Sequence, residues 1–164
     1  MTSRARFINP KTLAPPPGYT AVVETTGPGR TIYIAGQLGL DLDNKLVGGP
    51  GDFRTQCEKA FDNLGAALAA VGGKLSDVVK INNYLTDMTH MSTFRAVRDA
   101  KLNMQAPPAS TTVGIAQLAR PGALFEVDAV AVLPPAKAGA KAGTKARAKA
   151  ASRGRGVKKK SRRR

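Results

Sequence analysis

The chain has 164 residues, enough for one domain with a core of its own and too few for two ordinary ones. Its formal net charge of +15 is lopsided: residues 136–164 hold 13 of the 26 Lys and Arg and none of the 11 Asp and Glu, so any argument from charge to partner concerns that stretch alone. A single cysteine rules out an internal disulfide, no apolar run is long enough to span a bilayer, and the opening residues lack the apolar core of a secretory leader, so a cytoplasmic protein is the expectation.

Residues 1–17 read as a loose, extended entry, rich in proline at Pro10 and Pro15-Pro16-Pro17. Residues 19–26 are β-branched and strand-like, Gly27-Pro28-Gly29-Arg30 is a turn, and residues 31–35 form a second strand, a pattern that suggests an antiparallel hairpin. A glycine-rich loop follows, with a short strand expected at Lys45-Leu46-Val47. Phe53, Cys57, Phe61, Leu64, Leu68 and Val71 then recur at three- and four-residue spacing, the stripe of an amphipathic helix, with Asp52 as N-cap and Gly72-Gly73 as the stop.

Residues 78–86 alternate as a strand, with Val79, Ile81 and Leu85 on one face and Lys80, Asn82 and Tyr84 on the other. A second helix is expected over residues 92–104, ended by Pro107-Pro108. Strands are expected at residues 110–116 and 124–133. The order ββ(β)αβαββ gives strand–helix–strand twice, hence right-handed crossovers onto one mixed sheet with both helices on one face. The other face would carry Tyr33, Tyr84, Val130 and Val132, an apolar area suited to contact with other subunits.

The C-terminal stretch is different material. Its cations are Lys137, Lys141, Lys145, Arg147, Lys149, Arg153, Arg155, Lys158, Lys159, Lys160, Arg162, Arg163 and Arg164, set among small residues with Val157 the only larger apolar one. Such a segment buries too little surface to offset its ordering entropy and is expected to be disordered. Thirteen cations without an acid favour nucleic acid or another polyanion by counterion release. The segment has no aromatic side chain for stacking on bases.

Several ordered segments resemble the RidA (YjgF-like) family: Gly18-Tyr19-Thr20-Ala21-Val22, Ile34-Ala35-Gly36-Gln37, Leu46-Val47-Gly48-Gly49, Phe61-Asp62-Asn63-Leu64, Leu75-Ser76-Asp77-Val78-Val79-Lys80, Tyr84-Leu85-Thr86-Asp87-Met88, Pro108-Ala109-Ser110-Thr111-Thr112-Val113, and residues 126–132. The resemblance implies an α+β domain over residues 18–135, with a mixed sheet of about six strands and two helices on one face, the chorismate-mutase-like fold. It also implies a homotrimer with clefts between subunits, and hydrolysis of enamines and imines with release of ammonia. No metal or organic cofactor is implied.

The same resemblance distributes roles. Glu126 matches the glutamate that positions the attacking water, and Tyr19 matches the tyrosine lining the cleft. Ser110 stands where deaminating members carry an arginine that grips the substrate carboxylate, a bidentate fork that serine does not reproduce. Thr111, Thr112 and Gly36 complete the pocket, Ala35 replaces the usual serine before Gly36, and Arg95 is a displaced source of positive charge. A small-molecule hydrolase with reduced or altered deaminase activity is the first reading. A non-catalytic trimeric binding protein that engages nucleic acid through its tail is the alternative.

Several residues favour plainer roles. Cys57 lies on the apolar stripe and reads as core. His90, the only histidine, has no companion ligands for a metal. Gly48-Gly49-Pro50-Gly51 lacks the ending of a phosphate-binding loop. Asp128 reads as part of a solvated or subunit-contact face, Arg98 as a solvated helix residue, and Arg120 as a turn residue at the surface.

Overall fold

A computed structural model describes residues 4–136. Six strands and two helices follow in the order β1 (Arg4–Ile8), β2 (Val22–Thr26), β3 (Arg30–Leu38), α1 (Phe53–Ala69), β4 (Val78–Leu85), α2 (Met91–Lys101), β5 (Ala109–Gly114) and β6 (Phe125–Leu133). Four strands form a mixed sheet in the order β3-β6-β4-β5, and β1 pairs with β2 in a separate two-stranded ribbon. β6 runs antiparallel to both β3 and β4, while β4 and β5 are parallel. The two strand–helix–strand crossovers expected from the sequence are therefore present, through α1 and through α2.

The entry segment differs from its expectation. Residues 4–8 are a strand, in register with β2 from Arg4↔Thr26 to Ile8↔Val22. β2 takes this partner in place of β3, so the expected hairpin is not the pairing observed. Arg6 on β1 reaches Glu24 on β2 at 2.6 Å, and the Asn9 side chain accepts from the Ala21 N–H at 2.8 Å. These contacts give the proline-rich segment a local partner that periodicity did not reveal. The strand expected at residues 45–47 is reduced to a single bridge between Leu40 and Leu46.

α1 forms as its sequence dictates. The Asp52 carboxylate accepts from the Thr55 N–H at 3.1 Å, satisfying a donor that the first turn leaves open. At the far end Gly72 takes a φ of 78° and the Gly73 N–H returns to the Leu68 carbonyl at 2.9 Å, a left-handed stop suited to glycine. α2 is shorter than expected and begins at Met91, after a one-turn helix at Met88–His90 capped by Asp87.

Both helices cover one face of the four-stranded sheet. Phe53, Cys57, Phe61, Leu64 and Leu68 of α1 and Phe94 and Val97 of α2 pack with Ile81 and Leu85 of β4 and the alternate residues of β6 from Phe125 to Leu133. Phe125 sits among Phe53, Phe61 and Phe94 with ring centroids 5.6–5.8 Å away. Register shifts at Val78/Lys80 alter the expected face of β4: Val78, not Val79, joins the core. Cys57 is buried as expected, and burial pushes its thiol up to about 12.

The basic tail expected over residues 136–164 lies, apart from Ala136, outside the described residues. No helix among the described residues is long and apolar enough to cross a membrane.

Candidate functional site

The register of the sheet sorts the site residues onto two faces. Along β6, Phe125, Val127, Ala129, Ala131 and Leu133 are buried beneath the helices, so Glu126, Asp128, Val130 and Val132 lie on the open face. Residues paired across a ladder share a face. Asn82 pairs with both Asp128 and Thr111, and Tyr84 with Glu126, so these residues also lie on the open face. Ser110 pairs with Ile81 and Thr112 with Asn83, which puts both hydroxyls on the helix side.

On the open face, Glu126 is positioned by two backbone devices. The register of β3 against β6 slips between Ile34 and Gln37, and Gly36 falls in this irregularity against the carboxylate. A Cβ built on Gly36 would lie 1.6 Å from Glu126 Oε1, so a residue without a side chain makes room for the acid. At the start of β6, the buried Gln56 of α1 accepts from the Leu124 N–H at 2.9 Å and donates to the Gly122 carbonyl at 3.2 Å. That clamp fixes the entry of the strand that carries Glu126.

Glu126 makes no side-chain hydrogen bond or ion pair among the described residues. Partial burial raises its pKa above the ordinary carboxylate value, and the charge of Asp128 adds to the rise. Asp128 is held by two donors, the Asn82 amide at 2.8 Å and the Tyr84 hydroxyl at 2.8 Å. The hydrogen bond to Asp128 is the main cause of a raised Tyr84 pKa, with burial and the nearby carboxylates adding to it. Lys80 donates to the Thr111 hydroxyl at 2.6 Å, and burial lowers its pKa against the opposing pull of Asp128.

On the helix side lies a cleft of about 240 Å³ lined by Pro17, Tyr19, Met91, Arg95, Arg98, Ser110 and Thr112. Its roof is the segment before β2. Thr20, itself buried, fastens that segment to the chain before β5, its hydroxyl donating to the Pro107 carbonyl at 2.5 Å and its N–H to the Pro108 carbonyl at 3.2 Å.

One chain thus brings Tyr19, Arg95, Ser110 and Thr112 together in the cleft, and Glu126 and Gly36 together on the opposite face, with Thr111 on that same open face beside Lys80. It does not bring the two groups into one site. The sequence reading also missed residues that the structure adds. Arg98, expected to be solvated, is 5% exposed. It is four residues from Phe94 and next to Val97, on the buried stripe of α2, and that spacing was the available signal. Asn83 is fully buried, and its amide nitrogen donates to the Thr111 carbonyl and shares its other hydrogen between Ser110 Oγ and Thr112 Oγ1. Its signal was an amide two residues from both Ile81 and Leu85, hence on the core face of β4.

His90 stacks on Phe53 with centroids 4.5 Å apart, and no group of metal-ligating side chains gathers among the described residues. Arg120 donates to the Asn44 carbonyl at 2.8 Å in the exposed turn where it was expected.

Comparison with known proteins agrees with this architecture. The family described as Endoribonuclease L-PSP matches residues 10–133. A 2-iminobutanoate/2-iminopropanoate deaminase from Dermatophagoides farinae is 36% identical over 126 residues, covering 74% of this chain and 91% of that protein. Protein DfrA of Myxococcus xanthus is 35% identical, covering 75% and 88%. A Rid-family protein of unknown function from Yersinia pestis superposes with a TM-score of 0.71 at 32% identity, covering 79% of this chain and 98% of that one. RidA from an Antarctic Psychrobacter gives 0.59 at 34% identity, covering 73% and 92%. With the matched model spanning most of the chain and the fold shared along nearly the whole length of these relatives, the chain belongs to the RidA (YjgF-like) family.

Proposed function

We propose that this protein is a hydrolase of small imine or enamine metabolites that works in a cleft shared between neighbouring copies in a homotrimer. The observation that carries the reading is the state of Glu126: half-buried, seated over Gly36, raised in pKa, and with both carboxylate oxygens available to a water molecule. The relative from Dermatophagoides farinae, named a 2-iminobutanoate/2-iminopropanoate deaminase, supports the substrate class.

The chemistry follows from the carboxylate. Glu126 takes a proton from water as the oxygen bonds to the imine carbon and the C=N electrons move to nitrogen. Returning that proton to nitrogen lets the carbinolamine collapse to a ketone and ammonia. Partial burial and the charge of Asp128 raise the basicity of Glu126.

A second copy supplies what one chain lacks. The open face carries Tyr33, 80% exposed, with Val130, Val132 and the exposed Val113, an apolar area that association would cover. Packing that face against a neighbour brings Glu126 of one copy toward the cleft of the next. Ser110 in place of the family arginine makes hydrolysis of the simplest 2-imino acids slower than in the deaminating relatives. The test is ammonia release from freshly generated 2-iminobutanoate by the full-length protein and by Glu126→Gln. The account expects slow but enzyme-dependent release that the variant loses, and equal rates with and without enzyme would refute it.

A second reading concerns the tail. The thirteen cations of residues 137–164 favour sequence-independent binding of nucleic acid, and three tails on one trimer would act by avidity. A mobility shift that survives removal of residues 137–164 would exclude it. The two activities are compatible in one protein.

A further inference from the structure

We propose that the cleft beneath the N-terminal segment is an anion subsite in which Arg98 of α2, together with the hydroxyls of Ser110 and Thr112, grips a carboxylate. The inference rests on the hydrolase reading and narrows it: the substrate is an anion although β5 carries no cation, and it is held from the helix.

Three observations carry it. First, Arg98 is a buried guanidinium with a fixed orientation. Its Nε and Nη2 meet Asp99 Oδ1 at 2.8 and 2.7 Å, and its Cζ lies 5.6 Å from the centre of the Phe94 ring. Nη2 also packs against Gly18, where a Cβ would fall 2.3 Å away and where φ is 81°. Gly18 therefore leaves space for the guanidinium at the cleft. Nη1 makes no hydrogen bond among the described residues and is the edge left to a ligand.

Second, the hydroxyls are prepared as donors. The Asn83 amide nitrogen lies 2.9 Å from the Thr111 carbonyl, which only accepts, so this contact fixes which end of the amide faces β5. The second hydrogen of that nitrogen is shared between Ser110 Oγ at 3.1 Å and Thr112 Oγ1 at 3.3 Å. Each hydroxyl accepts on its buried side, and its own hydrogen is left to point into the cleft.

Third, the lining that one chain gives the cleft contains no acceptor of matching strength. It holds two guanidinium groups, three hydroxyls and no carboxylate. Asp99, on the outer edge of Arg98, offsets one of the two charges, and Arg95 at the exposed surface leaves this chain's share of the cleft net positive. A neutral ligand would leave these donors idle, whereas a carboxylate takes up several charge-assisted hydrogen bonds at once.

The test uses butanoate and its neutral isostere butanamide as unreactive probes, titrated into the full-length protein and followed by amide NMR shifts. Butanoate is expected to bind at least about 10-fold more tightly than butanamide, and Arg98→Met to weaken butanoate by about 10- to 100-fold. Thr112→Val, which keeps shape and loses the hydroxyl, weakens it several-fold, as does Arg98→Lys, which keeps charge and loses the fork. These two variants decide the matter if Arg98→Met does not fold. Equal binding of the two probes, or unchanged butanoate affinity in both conservative variants, overturns the proposal. Glu126→Gln, which removes the negative charge that a neighbouring copy brings toward the cleft, should bind butanoate at least as tightly as the wild type. If Glu126→Gln leaves ammonia release unaltered while the Arg98 variants lose butanoate, the hydrolase reading fails and the anion subsite stands. The converse pattern condemns the subsite alone.

Discussion

Glu126 and Gly36 fit as a side chain into a space that only glycine leaves, with Oε1 1.6 Å from where a Cβ on Gly36 would stand. The contact crosses from β6 to β3 at the point where the register of those strands slips. Gly36→Ala therefore strikes the flexible end of one side chain, not the backbone. The expected outcome is a folded protein with a displaced carboxylate, its imine hydrolysis reduced by about 10²-fold or more and its melting temperature close to that of the wild type.

The raised pKa of Glu126 has a stability consequence with a definite sign. A carboxyl whose folded pKa lies above its unfolded value favours folding in its protonated form. That contribution is present below the ordinary value of 4.5 and is lost as pH rises through the folded pKa. Glu126→Gln removes the titration, so it should melt above the wild type at neutral pH, with the gap closing as pH falls below 4.5. The rate of the wild type should rise with pH on an acid limb whose midpoint is above 4.5. Asp128→Asn, which removes a neighbouring negative charge, should move that limb to lower pH.

Asn83 links stability to the cleft. Replacing it by Ala removes the donors to Thr111, Ser110 and Thr112 and empties a fully buried position. A loss of about 1–3 kcal/mol is expected from the missing hydrogen bonds and the cavity together. Urea unfolding followed by circular dichroism measures it.

Phe125 is the centre of the aromatic core, in contact with Phe53, Phe61 and Phe94. Phe125→Ala should cost about 3–5 kcal/mol in the same experiment. Because Phe125 precedes Glu126 on β6, this variant also loosens the site, and activity should fall even where the protein remains folded.

Cys57 offers a chemical check on the core. With its thiol pushed up to about 12 by burial, it should not react with a thiol reagent at pH 8 in the native state. It should react at once in denaturant.

Much of the fold was legible because its signals are local. The stripe from Phe53 to Leu68 and the capping Asp52 mark α1, and the alternation of β6 separates Glu126 from its buried neighbours. What escaped depends on pairings that no local pattern encodes. β2 reads equally well as a partner for β1 or β3, since a two-stranded ribbon and a hairpin share one composition. The shift at Val78/Lys80 moves Val79 out of the core by one residue, a slip that strict alternation does not announce. Ser110 and Glu126 were both picked out, but their separation onto opposite faces follows only from the register of β4 with β5 and β6. Arg98 was missed because charge suggested solvent, while its place on the stripe with Phe94 and Val97 pointed inward.

The division of the site between two faces makes one measurement decisive. Glu126→Gln lacks the acid, and Ser110→Trp fills the cleft; each alone should release no ammonia above background from a small 2-imino acid that the wild type hydrolyses. Unfolded together in equal amounts and refolded, they should regain activity, because about a quarter of the junctions in a closed ring of mixed copies then combine an intact acid with an intact cleft. Recovery to roughly that fraction of the wild-type rate is the predicted result. A mixture as inert as its components, beside an active wild type, would contradict a site shared between copies.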